Sequence, residues 1–167
     1  SCLKNVVNVL NSGDCDIYIS AKYAKFVIGD YSVFTRLLDG EFHNYKNSLP
    51  KGHISEVTAS TRELMNSLDR CSLLINDRIK SPVRCVFENG QIKIGLKTAI
   101  GKISETIQAE TSGNTLEIGF NVRYMLDALK AVDSDKVTMY LSGANSPMTI
   151  KGEGYTFLVL PVRLKDE

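Results

Sequence analysis

The sequence predicts an α+β fold of tandem strand, helix and three-strand units, with the helices on one face of curved antiparallel sheets. Three observations predict it. First, a base followed by apolar residues at helical spacing occurs three times: Lys4 with Val6, Val7 and Leu10, Arg62 with Leu64, Met65 and Leu68, and Arg123 with Met125, Leu126 and Leu129. Second, Arg62 and Arg123 stand 61 residues apart and Lys4 lies nearly as far ahead of Arg62, a period that signals one unit used repeatedly. Third, short runs with the two-residue alternation of strands follow each helical segment.

The elements follow in order. Cys2 to Leu10 reads as a helix and Asn11 to Gly13 as its stop. Alternation then gives strands at Asp16 to Ser20, Ala24 to Ile28 and Ser32 to Leu38. From Asp39 to Gly52 turn formers dominate, including Asp39-Gly40 and Pro50-Lys51-Gly52, and residues 49–52 are the expected linker between an incomplete domain, 1–48, and a complete one, 53–167. Strand Ile54 to Thr58 leads into helix Ser60 to Leu74, where Ser60 and Glu63 have the spacing of a capping box. Strands Val83 to Glu88 and Gln91 to Leu96 flank Asn89-Gly90, a two-residue hairpin signal, and Ile103 to Glu110 follows. The unit then recurs: strand Thr115 to Gly119, helix Asn121 to Val132 with Asn121 as its N-cap, and strands Lys136 to Ser142, Pro147 to Lys151 and Tyr155 to Val162.

Composition narrows the function. At 43% hydrophobic, with 12 Gly and 4 Pro in 167 residues, the chain is globular rather than disordered or fibrous. A net charge of +1 excludes nucleic-acid binding by bulk electrostatics, which needs many phosphate contacts, so any DNA contact must be sparse. The longest apolar run, near Phe157 to Leu160, is too short to span a bilayer and no leader pattern opens the chain, which predicts a cytoplasmic protein with no membrane partner. The absence of an initiating Met and an opening inside a helix predict a piece of something longer. Cys2, Cys15, Cys71 and Cys85 lack metal-ligand spacing, and Cys71 and Cys85 on apolar faces read as buried reduced thiols.

The recurring bases call for a reason. A base at a helix start opposes the macrodipole, so Lys4, Arg62 and Arg123 serve either solubility or a task shared by one face. The tail carries a sharper signal. In the last expected strand Tyr155, Phe157 and Val159 alternate with Leu158, Leu160 and Val162, so both faces are apolar, and Pro161 cannot donate to a ladder. One face can pack on helices. The other is either core against the preceding domain or a docking groove, in which each fully buried aliphatic side chain contributes about 1.5–3 kcal/mol.

Three separated motifs carry a family resemblance. Asp39-Gly40-Glu41-Phe42 through Tyr45 to Leu49-Pro50, Ile118-Gly119-Phe120-Asn121-Val122 with Tyr124 and Leu126-Asp127, and Leu160-Pro161-Val162-Arg163-Leu164 resemble the bacterial sliding clamp, the beta subunit of DNA polymerase III, in register over nearly the whole chain. The resemblance implies the DNA-clamp fold: a ring of domains, three per subunit and two subunits, with helices lining a hole around duplex DNA. It implies a C-terminal domain and the latter part of a middle one here, with Lys4, Arg62 and Arg123 facing DNA. The family's partner pocket maps onto His43, Asn47, Ser48, Pro147, Leu158, Leu160, Pro161, Val162 and Arg163. Its ligands are short peptides, with a Gln and two apolar anchors, from the replicative polymerase, the clamp loader and repair proteins. Leu73 and Leu74 match the subunit-contact position of a homodimer, or finish the helix's apolar stripe. His43, Asn47 and Ser48 depart from the residues common in the family, which alters the pocket's polar detail.

An enzyme is not expected. The two His residues, His43 and His53, sit in or beside the linker, with no nucleophile motif, phosphate-cradling loop, metal or cofactor signature beside them. The alternative to a clamp is a protein-interaction scaffold with a peptide groove and no DNA contact.

Overall fold

The computed structural model describes residues 2–10, 13–75 and 81–164, and the chain divides into two compact units, Ser1–Asn44 and Tyr45–Glu167. The division falls inside the turn-rich stretch Asp39 to Gly52.

The first unit holds helix α1 (Cys2–Val9) and strands β1 (Asp16–Ile19), β2 (Tyr23–Ile28) and β3 (Tyr31–Arg36), an antiparallel sheet in the order β1-β2-β3. Its buried core among the described residues is Val6, Ala24, Phe26 and Ile28. The sequence predicted a broader buried stripe on α1, and Val7 departs from it: this side chain is 67% exposed. Among the described residues the three strands bury the helix face that carries Val6 and leave Val7 outside the core cluster. Part of the expected helix stop, Asn11 and Ser12, lies outside the described residues.

The second unit opens with a turn of 3-10 helix, Tyr45–Ser48, and then runs β4 (Ser55–Ser60), α2 (Thr61–Ser72), β5 (Val83–Glu88), β6 (Gln91–Thr98), β7 (Gly101–Gly113), β8 (Leu116–Phe120), α3 (Val122–Leu129), β9 (Lys136–Leu141), β10 (Met148–Gly152), β11 (Tyr155–Val159) and β12 (Pro161–Val162). Both helices start where side-chain oxygens satisfy free amides: the Ser60 hydroxyl accepts the Glu63 N–H at 3.3 Å and the Asn121 carbonyl accepts the Arg123 N–H at 2.9 Å. Asn89 and Gly90 both take positive φ, 45° and 76°, as the hairpin between β5 and β6 requires.

Among the described residues the strands of this unit are hydrogen-bonded in the order β11-β10-β9-β4-β7-β6-β5-β8-β12. The thirteen-residue β7 spans the turn of the sheet, its first part paired with β6 and its last part with β4. The two helices pack against each other and bury Leu64, Leu68 and Cys71 of α2 with Val122, Met125, Leu126 and Leu129 of α3. Inward residues of the strands close over them, Ile92, Ile94, Ile118, Phe120, Met139, Leu141 and Ile150 being almost wholly buried. This is the expected α+β arrangement of helices on one face of curved antiparallel sheets.

The terminal strand differs from its prediction. Tyr155 to Val162 is not one strand but two, broken at Leu160: β11 pairs with β10 at one end of the strand order and β12 with β8 at the other. Pro161 has no N–H to continue the first ladder, so the chain leaves it there. A single residue therefore links the two ends of the sheet.

Candidate functional site

The tail assembles an apolar surface from three strands. Met148 of β10 faces Val159 of β11, so Pro147, one step before Met148, comes to the same end of the hairpin as Leu160, one step after Val159. Leu158, two residues before Leu160, lies on the same strand face and is half-buried opposite Thr149. Leu160 is 60% exposed, an unusual state for a leucine held between two paired strands. Pro161 sits opposite Phe120 and Val162 opposite Gly119, Pro161 half-buried, Val162 and Arg163 exposed. Pairing thus brings Pro147 beside Leu160 and sets Leu158, Pro161, Val162 and Arg163 along two strands rather than one; the alternation had grouped only Leu158, Leu160 and Val162, and the family resemblance named the others.

The other residues expected in the pocket lie earlier in the chain. Asn47 and Ser48 are exposed on the 3-10 turn of the second unit, and His43 is exposed in the first unit. Downstream of that turn the chain is anchored to β9: the Ser142 hydroxyl donates to the Gly52 carbonyl at 2.6 Å, and the Ile54 N–H to the Leu141 carbonyl at 2.8 Å.

One residue near the tail, named above only within a family motif, was not among the expected site residues. Tyr124 is exposed in the first turn of α3, the helix that leaves β8 immediately after Phe120, the partner of Pro161. Its signal was available in the sequence as an aromatic off the buried stripe of Val122, Met125, Leu126 and Leu129.

The bases occupy matched positions. Arg62 and Arg123 are each the second residue of their helix, and both are exposed, as is Lys4 on α1 of the first unit. Around them on α2 and α3 the exposed charges are mixed, Glu63, Asp69 and Arg70 on one helix and Asp127 and Lys130 beside the other. The helical surface is only mildly basic.

At the far end of α2 the two leucines separate. Helix α2 ends at Ser72, short of the expected Leu74. Leu74 packs against the core, its methyl 3.3 Å from the space where a side chain on Gly101 would begin, whereas Leu73 is 78% exposed. Only Leu74 therefore finishes the apolar stripe. Nearby Arg70 donates two hydrogen bonds to Glu105 of β7, at 2.6 and 2.5 Å, a fork on a carboxylate. These bonds hold the Glu105 carboxyl below its usual range and the Arg70 guanidinium above its own.

The buried thiols are poor nucleophiles because burial pushes Cys71 up to about 11 and Cys85 up to about 12. Among the described residues no group of three or more His, Cys, Asp or Glu is placed to hold a metal ion, and no helix is long and apolar enough to cross a membrane.

Comparison with known proteins matches this geometry to a family. The profile of the DNA polymerase III beta subunit, C-terminal domain, matches residues 46–163. The Beta sliding clamp of Staphylococcus aureus is 28% identical over 158 residues, which cover 92% of this chain and 42% of that protein. The crystal structure of the DNA polymerase sliding clamp from Bacillus subtilis superimposes with a TM-score of 0.87 at 29% identity, covering 98% of this chain and 45% of that one. A DnaN sliding clamp from Bartonella birtlesii, bound to griselimycin, gives 0.86 at 28% identity, covering 97% and 45%. The chain therefore spans less than half the length of these relatives. With the profile covering most of its length and the clamp fold matched nearly end to end, this chain belongs to the bacterial sliding clamp family, the beta subunit of DNA polymerase III.

Proposed function

We propose that this chain is the C-terminal part of a replicative sliding clamp, a processivity factor that in its full-length form encircles duplex DNA as a homodimer. In this reading residues 1–48 are the latter part of the middle domain, 49–52 the linker and 53–167 the C-terminal domain. The protein works in the cytoplasm, on the nucleoid. Its role is mechanical: the ring retains DNA by topology, independent of sequence, and the groove tethers the polymerase, clamp loader and repair proteins by their clamp-binding peptides.

The observation that supports the groove most is Leu160, exposed between two paired strands and flanked by Pro147, Leu158, Pro161 and Val162. An apolar anchor of a peptide that covers these groups removes them from water, and Arg163 at the rim offers a charged donor. Asn47 and Ser48 of the same unit would extend the wall, and the ligand-bound Bartonella relative is in keeping with a clamp surface that accepts compact ligands. The modest net charge fits the DNA part of the proposal, since strong phosphate contacts would resist sliding. Lys4, Arg62 and Arg123 then supply sparse contacts to the duplex, and the exposed Leu73, with Leu74 behind it, meets the second subunit.

Leu160→Ala in the full-length protein tests the groove. Because Leu160 is exposed, the change leaves folding intact, and a synthetic peptide carrying a glutamine and two apolar anchors should bind more than tenfold more weakly by fluorescence anisotropy. Unchanged affinity would remove the tail from the site.

A further inference from the structure

We propose that Gly119 is a positioning residue: it seats the C-terminal strand β12, and the docking groove exists only while that strand is seated. The inference rests on the groove reading above and adds to it the device that holds the groove in shape.

Strand β12 is two residues long and, among the described residues, pairs with β8 alone, Pro161 with Phe120 and Val162 with Gly119. With two residue pairs, this ladder is short. The contact that remains is unusually close. A Cβ on Gly119 would stand 2.4 Å from the Val162 carbonyl oxygen and 2.8 Å from a methyl of Leu164. The tail thus lies in space that any side chain would occupy. No φ in the left-handed region calls for glycine at this position; the requirement is room.

What yields when that room is filled follows from the pairing. Strand β8 is held by five residue pairs to β5 and carries the fully buried Phe120 and Ile118. Strand β11, on the other side of Leu160, is held by five pairs to β10. Strand β12 has two. A methyl at Gly119 must therefore push β12 outward, by about 1 Å to restore ordinary contact, and the shift is taken up at Leu160 and Pro161, the groove itself. Displacements of that size exceed what a preorganised site tolerates. Gly152 supplies the contrast: a Cβ there would meet the ring of Tyr155 at 2.1 Å, but the atoms met are the far end of a side chain that can swing aside, and no backbone is displaced.

The test compares Gly119→Ala, Gly152→Ala and Leu164→Ala in the full-length protein, using the same glutamine-containing peptide and amide hydrogen exchange. Gly119→Ala should weaken the peptide at least tenfold and speed exchange at Val162 to Leu164, while Cys85 and Ile118 stay protected. Gly152→Ala should leave affinity unchanged. Leu164→Ala, which removes the side chain lying over Gly119 without touching β8, should loosen the tail and weaken binding three- to tenfold, and it decides the matter alone if Gly119→Ala does not fold. Wild-type affinity with a protected tail in the deciding variant overturns the proposal. Failure of the wild-type protein to bind the peptide is a different result, and counts against the groove reading.

Discussion

The two units of this chain use the same parts and reach different degrees of closure. Each sets an amphipathic helix against antiparallel strands, yet the first buries four apolar residues among those described while the second buries more than twenty. In the first, a single helix covers three strands and leaves Ile17, Ile19 and Phe34 exposed. In the second, the duplicated unit supplies two helices that shelter each other's apolar stripes, so that Leu68, Cys71 and Leu129 are lost to solvent altogether. The difference shows that one helix over three strands seals few apolar residues, whereas two helices packed on each other shelter both stripes.

Thiol reactivity should break or sharpen this comparison most strongly. Cys2 and Cys15 are half-buried in the first unit, whereas Cys71 and Cys85 are buried in the second with thiols shifted well above neutrality. In the native chain a disulfide reagent at neutral pH should label Cys2 and Cys15 about a hundredfold faster than the other pair, with denaturant abolishing the difference. Equal rates would mean that the second core opens as readily as the first.

Core truncation comes next. Leu68→Ala, at a fully buried site on α2, should cost the second unit about 2–5 kcal/mol in urea denaturation, because a cavity remains where helices and sheet cannot collapse. Val6→Ala should leave that transition where it was. A shift of the second unit's midpoint in the Val6 variant would show that the cores are coupled.

The smallest effect concerns Glu105. Its carboxyl is held low chiefly by the Arg70 hydrogen bonds, so the stabilisation is present above the normal carboxylate range and is lost as pH falls through the depressed value. Glu105→Gln should therefore lower the thermal midpoint slightly at pH 7, and the gap from wild type should close on acidification. A gap that widens toward low pH would show that the pair is not stabilising.

Much of this was legible in the sequence for a definite reason. Helices α2 and α3 announce themselves by period and cap, and the Asn89-Gly90 turn by its backbone needs, since all of these are set by neighbours in the chain. What escaped was non-local. The ladder that β11 leaves at Leu160 and the one that β12 joins lie at opposite ends of a nine-strand order, and no periodicity records which edge a two-residue strand will choose. The exposure of Val7 and the parting of Leu73 from Leu74 likewise depend on what covers a helix, not on its pattern. Gly119 read as part of a family motif; its room for the Val162 carbonyl is visible only once β12 is docked.

The most direct measurement of the central claim is retention on DNA. The full-length protein loaded on nicked circular DNA and freed of loader should remain bound through a rise in salt that disrupts phosphate contacts, and should fall away once the circle is cut. Equal retention on circular and linear DNA, or loss from both at the same salt, would contradict a ring held by topology.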